Sequence, residues 1–396
     1  MIHYDARLPR AAEIVIVGGG VVGAATAFWA ARAGLRPLLL ERRAALCTLT
    51  TPVSTGAFRL QFDNREELDL VRESVELFLN FADITRQGAY DPDVRSQGYL
   101  WVTTDEVRAA RQRALVARQR TWGQSDIELL DGAEVRERFP YVAHDVIQAR
   151  WRAGDGFLDP KQLTMGLVAG SRARVMLGCE AVGFEIEGDR LTGVVTTLGT
   201  VSTETVVIAA GPFSGAVAAL AGVGLPLSTV VRHKLVFPTL PAAPADAPMT
   251  IDDDTGAHWR PALRGAFALH IDPSTPPTPP VEDVAPDHRY AFALLHPSSP
   301  VALGRVSPFW NAVFHDNRVP WLIHSGQYTM TPDRRPLLGE TAQAGLHVNA
   351  GYSGHGIMVA PAGSRRLIDV LTGKTAPDDH PFSPGRRFED REHDVL

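Results

Sequence analysis

Apolar positions recur in two rhythms along this chain, and each predicts a different kind of element. Residues 14–17 (Ile-Val-Ile-Val) are a short run without polar alternation, broken off by Gly18, Gly19 and Gly20. Such a run predicts a strand covered on both faces. Residues 21–33 then predict a helix stopped by Gly34, and 38–40 (Leu-Leu-Leu) a second buried strand ending on Glu41. Over 65–86 the rhythm is helical, with Leu68, Val71, Val75, Leu77 and Leu79 on one side. Residues 98–103 predict a strand, and 105–122, rich in arginine and alanine, a solvated helix. Further on come a helix near 162–171, a meander over 182–198 turning at Gly188-Asp189 and Gly199, a buried strand over 205–211 and a helix over 214–220. Residues 225–271 are strand-rich, 346–351 form a last strand, and a long helix starts at 352–356 and runs to about 371. No internal repeat is present.

The opening unit carries chemistry. A strand, Gly18-x-Gly20-x-x-Gly23, a helix and a second strand ending on an acid form the fingerprint of a dinucleotide pyrophosphate site. Gly18 permits the tight turn, Gly20 lets the backbone approach the phosphates, and Gly23 lets the helix lie close to the sheet. The helix start directs its N–H groups and dipole at the anion. Glu41 accepts from the ribose hydroxyls. This segment alone does not separate FAD from NAD.

Composition narrows the class. The chain has 396 residues, 45% of them apolar, and a net charge of −6, so it predicts two domains or one large discontinuous one, and no basic surface for nucleic acid. Its only lysines are Lys161, Lys234 and Lys374. Cys47 and Cys179 show no metal or redox spacing, and no metal is expected. No apolar run has the length of a membrane span, and the N-terminus lacks a signal-peptide core, so a cytoplasmic enzyme is expected. Residues 272–287 hold six prolines and predict a stiff exposed insertion, with a lid over a substrate pocket as the alternative.

Two further strand ends finish on small residues, at Ala209-Ala210-Gly211 and at Gly351-Tyr-Ser-Gly-His-Gly356. Glycine turns so far apart imply one extended ligand, and FAD has that shape. Backbone N–H groups from about Gly354 to Met358, at a helix start, suit the negative charge that develops near flavin N1 on reduction.

Together these segments resemble the D-amino acid oxidase-like superfamily of FAD-dependent amine oxidoreductases. The resemblance rests on the first fingerprint, on Val207-Ile-Ala-Ala-Gly211, on Tyr328-Thr-Met-Thr-Pro-Asp333 and on Gly351 to Gly356, and it spans nearly the whole chain. Ser54-Thr-Gly-Ala-Phe-Arg-Leu-Gln-Phe62 is similar to a segment of sarcosine oxidase β-like dehydrogenases and of the mitochondrial FAD-dependent oxidoreductases linked to complex I assembly, with Leu60 where glutamine is often found. The resemblance implies an α/β fold (α+β overall), with a Rossmann-type FAD-binding domain and a second, mixed-sheet substrate domain. The first would comprise 1–90, 146–222 and 326–396, the second 91–145 and 223–325. Expected at the cofactor are Gly18, Gly20, Val22, Gly23, Glu41, Arg42, Ser54, Thr55, Gly56, Val182, Ala210, Gly211, Gly351, Gly354, His355, Gly356, Ile357 and Met358. Arg59, beside the flavin, would hold a substrate carboxylate or brace the loop. Tyr328 would stand in the pocket wall, His355 would serve the flavin, and His270 would face the pocket.

Departures from the family pattern matter equally. Gly326 stands where monomeric sarcosine oxidases tether the flavin through cysteine, and no histidine lies between His3 and His144. Non-covalent FAD is therefore expected. Met358 replaces a carboxylate-gripping lysine, and the strand near 265–271 has no oxygen-activating lysine. The expected reaction is hydride transfer from the carbon next to an amine nitrogen to flavin N5, giving an imine that hydrolyses. Oxygen or an electron carrier would reoxidise the flavin. Two alternatives stay open: a flavin-binding subunit or assembly factor without turnover, and a 2-hydroxy-acid dehydrogenase. A nicotinamide enzyme is the remaining rival.

Overall fold

The computed structural model describes residues 1–377 and 380–389. Its first sheet has seven strands in the order His3–Tyr4, Arg174–Leu177, Pro37–Glu41, Ile14–Val17, Val206–Ile208, Leu346–Ala350, Leu337–Glu340. All neighbours are parallel except the last pair. Alternation explains how one run serves two layers: Ile14 and Ile16 pack on one side, Val15 and Val17 on the other. The first side carries the helices Val21–Arg32, Arg65–Leu79, Pro160–Ser171 and Gly356–Leu371. The second carries the meander Ala181–Glu187, Arg190–Thr196, Gly199–Ser202.

The helix expected over 65–86 is broken. It ends at Leu79, and Phe81–Thr85 resumes after Asn80, whose side chain donates to the Glu76 carbonyl at 3.0 Å. Local hydrogen bonding by asparagine competes with the helix ladder and offers an exit.

The second sheet has nine strands. Its main path runs Pro277–Thr278, Ser228–Phe237, Gly265–His270, Ala257–Ala262, Met249–Asp252, Tyr99–Thr103, Gln148–Arg152, Glu128–Asp131, and Leu322–Met330 pairs along Ser228–Phe237. One pairing, Met249–Asp252 with Tyr99–Thr103, is parallel, so the sheet is mixed. Gln148–Arg152 falls in a stretch assigned above to the FAD-binding part, yet it pairs here, because Ala149 shares one apolar cluster with Leu100 and Val102. Leu322–Met330 likewise crosses the boundary placed at 326. One face of this sheet packs on the helices His288–Leu295 and Phe309–His315. The other face looks across a cavity toward the glycine turns of the first sheet.

Candidate active site

At the first turn, Gly18 donates to the Leu40 carbonyl at 2.8 Å with φ of 118°. A Cβ on Gly18 would lie 2.4 Å from the Ala209 carbonyl oxygen, and one on Gly23 would lie 1.8 Å from the Gly18 carbonyl oxygen. The helix therefore starts in backbone contact with the turn. Glu41 accepts from Gly19 N and Arg43 N, both at 2.8 Å, which aims its carboxylate along the turn.

A cavity of about 400 Å³ runs past this turn and past the two others. Its walls include Gly18, Gly20, Val22, Glu41, Arg42, Ser54, Val182, Ala210, Gly211, Gly351, Gly354, Gly356 and Ile357. Gly23 and Gly56 line neither this cavity nor the one that adjoins it; their missing side chains serve close packing, since a Cβ on Gly56 would lie 2.0 Å from the Leu158 carbonyl oxygen. Phe213, not expected from the sequence, carries the Arg42 guanidinium at 3.8 Å from its ring centre. Arg42 and Arg43 pair with Glu282, so the proline-rich segment reaches the Glu41 end of this cavity. Gln327 anchors that segment through Val281 N, Thr278 Oγ1 and the Pro279 carbonyl.

A second cavity, about 520 Å³, shares Ser54, Tyr328, Ser353, Gly354 and Ile357 with the first. The two meet where Tyr328 lies against Gly354, whose φ is 98° and whose Cβ would come within 2.7 Å of the ring. The second cavity is lined by Thr55, Arg59, His355 and Met358 among the expected residues. Pro273 and Thr275 of the proline-rich segment also reach it. His270 is not brought there. Strand alternation gives the cavity Leu269 and Ile271, and the His270 ring meets the Thr255 carbonyl at 3.0 Å.

Arg59 is 4% exposed, its guanidinium stacked near Phe62 and Trp101. Its Nη2 points at His355 Nε2 at 3.4 Å, and His355 Nδ1 meets Glu67 Oε1 at 3.3 Å. A donor on one side and a carboxylate on the other select the neutral tautomer with its proton on Nδ1. Behind Arg59, buried Asp155 accepts from Leu60 N at 2.8 Å, Gln61 Nε2 at 3.0 Å and Arg152 Nη1 at 2.7 Å. Asp155→Ala should cost about 2–4 kcal/mol, because it leaves the Leu60 N–H without an acceptor and Arg152 with only the half-exposed Asp126 as its ionic partner. Denaturant midpoints measure this.

Lys234 lines neither cavity. Its Nζ donates to the Ser54 carbonyl at 2.9 Å and the Pro52 carbonyl at 3.3 Å, holding the loop that does. Burial, aided by Arg260, pushes its amine down to about 7. A neutral amine retains two hydrogens, enough for both carbonyls. In the unfolded chain lysine titrates near ~10.4. Between these values the unfolded chain binds more protons, so stability should rise as pH increases from about 7 to about 10. Lys234→Met should flatten that rise in a pH series of melting curves.

Sequence reasoning passed over Glu67, Arg232 and His258. Arg232 faces Tyr328 at 5.8 Å from the ring centre, and burial lowers its pKa. The register of the second sheet places Arg232 and His258, and the packing of the helix Arg65–Leu79 places Glu67 against His355. Among the described residues, no cluster of three His, Cys, Asp or Glu side chains has a metal-binding arrangement, and no helix is long and apolar enough to cross a membrane.

The cavity tests the cofactor directly. Two glycine turns that leave no room for a Cβ, at Gly18 and Gly23 and at Gly351 and Gly354, a small-residue turn at Ala209, Ala210 and Gly211 between them, a carboxylate at one end and a helix start at the other fit a dinucleotide with an extended ring. The DAO family, described as FAD dependent oxidoreductase, matches residues 13–370. The chain belongs to this family. It is 24% identical over 407 residues to FAD-dependent oxidoreductase domain-containing protein 1 of Xenopus laevis, covering 92% of this chain and 79% of that protein. It is 25% identical over 399 residues to mitochondrial sarcosine dehydrogenase of Homo sapiens, covering 96% of this chain and 42% of that one, so it spans less than half the length of that relative. L-proline dehydrogenase from P. horikoshii shares the fold, with a TM-score of 0.83 at 24% identity over 97% of this chain and 100% of that one. As a DAO-family oxidoreductase, the protein uses FAD. The first cavity is its candidate seat and the second the candidate substrate chamber.

Proposed function

We propose that this DAO-family flavoprotein oxidises the C–N bond of an amino acid or secondary amine of the sarcosine, proline or D-amino acid type. The observation that carries the reading is the buried Arg59 guanidinium in a chamber that opens onto the Gly354 turn. A planar cation with paired donors matches a carboxylate. FAD, when bound, supplies the hydride acceptor. The chain supplies position and dryness. Arg59 holds the carboxylate, with Phe62 and Trp101 bracing its plane. Trp101, Ile251 and Leu269 keep water off the reacting carbon. At the helix start, Gly356 and Ile357 would offer their N–H groups to the negative charge of the reduced flavin, while those of His355 and Met358 already donate to the Tyr352 and His355 carbonyls.

Two features support dissociable FAD and slow oxygen reactivity. Gly326 supplies no thiol, and a Cβ there would crowd the Val53 side chain at 3.0 Å. The strand Gly265–His270 carries no lysine. An electron carrier is therefore the proposed acceptor.

The test is anaerobic. Yellow holoenzyme is mixed with N-methylglycine, L-proline, D-alanine and 2-hydroxy acids, and the visible flavin band is followed. Bleaching by an amine is expected, together with release of free FAD on heating. Bleaching by hydroxy acids alone, or by nothing in the panel, would sink the amine reading.

A further inference from the structure

The sheet face above the substrate chamber contains a row of four side chains in register. Trp101 pairs with Ile251, Ile251 with His258, and His258 with Leu269. All four line the chamber. Three are apolar at their exposed surface or nearly so, and His258 interrupts them. It is 6% exposed, so its polar atoms are costly to leave unpaired.

Its orientation is fixed by the backbone. His258 Nδ1 lies 2.8 Å from the Gly256 carbonyl oxygen. A carbonyl only accepts, so Nδ1 carries the proton and Nε2 carries the lone pair. Nε2 makes no hydrogen bond to any described residue and is not among the fully buried unpaired atoms, so it is open to a ligand in the chamber that His258 lines. Burial, reinforced by Arg59 and His270, holds the ring's pKa down to about 4, so the acceptor form persists at neutral pH.

We propose that His258 Nε2 is the specificity-determining acceptor for an N–H of the substrate, which makes primary and secondary amines the substrate class and disfavours tertiary ones. This rests on the amine reading above. A neutral amine with an N–H satisfies Nε2 and is turned relative to the carboxylate held by Arg59. A tertiary amine has no hydrogen to offer in its neutral form and leaves a buried acceptor bare, at about a tenfold loss or more.

The experiment compares each amine that bleaches the holoenzyme with its fully N-methylated homologue: N-methylglycine with N,N-dimethylglycine, L-proline with N-methyl-L-proline, D-alanine with N,N-dimethyl-D-alanine. In wild type, the N–H form should bleach at least about tenfold more efficiently. His258→Phe, apolar like the rest of its row, should bring the pair to within about twofold, and His258→Gln, which retains an acceptor, should restore the preference. Binding of (methylthio)acetate, which has the carboxylate but no N–H, is read from flavin absorbance shifts. It should stay within about twofold in all three proteins, showing that the chamber is intact. If wild type treats tertiary and secondary amines alike, or if His258→Phe preserves the preference, the role of His258 is refuted and amine oxidation stands. If no amine bleaches the flavin, both fall together.

Discussion

Gly23→Ala is expected to yield protein that has lost its yellow colour. The added methyl would sit 1.8 Å from the Gly18 carbonyl oxygen, a backbone atom that cannot swing aside. Helix Val21–Arg32 must then lift from the strand Ile14–Val17, and with it goes the backbone approach that the pyrophosphate requires. Overpacking of this kind costs about 3 kcal/mol, or roughly a hundredfold in FAD affinity. The check is the ratio of flavin to protein absorbance after gel filtration, with a melting curve to separate cofactor loss from unfolding. Retention of stoichiometric FAD by the variant would mean that the cofactor does not rest on this turn.

Arg59→Ala should give the second large effect. Removing one partner of a buried, hydrogen-bonded charge pair costs about 2–5 kcal/mol, or about 30- to 5,000-fold in bleaching efficiency with carboxylate-bearing amines. Arg59→Lys should recover only part, since the charge returns without the fork. An amine lacking a carboxylate should be nearly indifferent to either substitution. That contrast separates a carboxylate anchor from an arginine that merely braces His355 and Phe62, for which all amines would suffer together.

Much of this architecture is legible in the chain because it is local. The run 14–17, the glycines after it and the acid at Glu41 lie within 28 residues and need no distant partner to be understood. The first helix's stop and the meander turns are similar: Gly34, Gly188 and Gly199 all have positive φ, as turns at those places require. The break at Asn80 is less visible, because a hydrophobic rhythm continues straight through it while a single side-chain hydrogen bond ends the helix. His270 illustrates a parity problem. A residue near a strand end faces one side or the other by a shift of one, and only the pairing with Ala257–Ala262 sets which.

What the sequence determined by itself is the cofactor class and the elements that seat it. Backbone turns are specified by glycine spacing, and that information is carried within each motif. What only the tertiary structure decided is the chamber. Glu67, Arg232 and His258 come from separate stretches, and nothing in their immediate neighbours marks them. They become a site because sheet register and helix packing place them around Arg59, and those depend on burial summed over the whole molecule rather than on any local pattern.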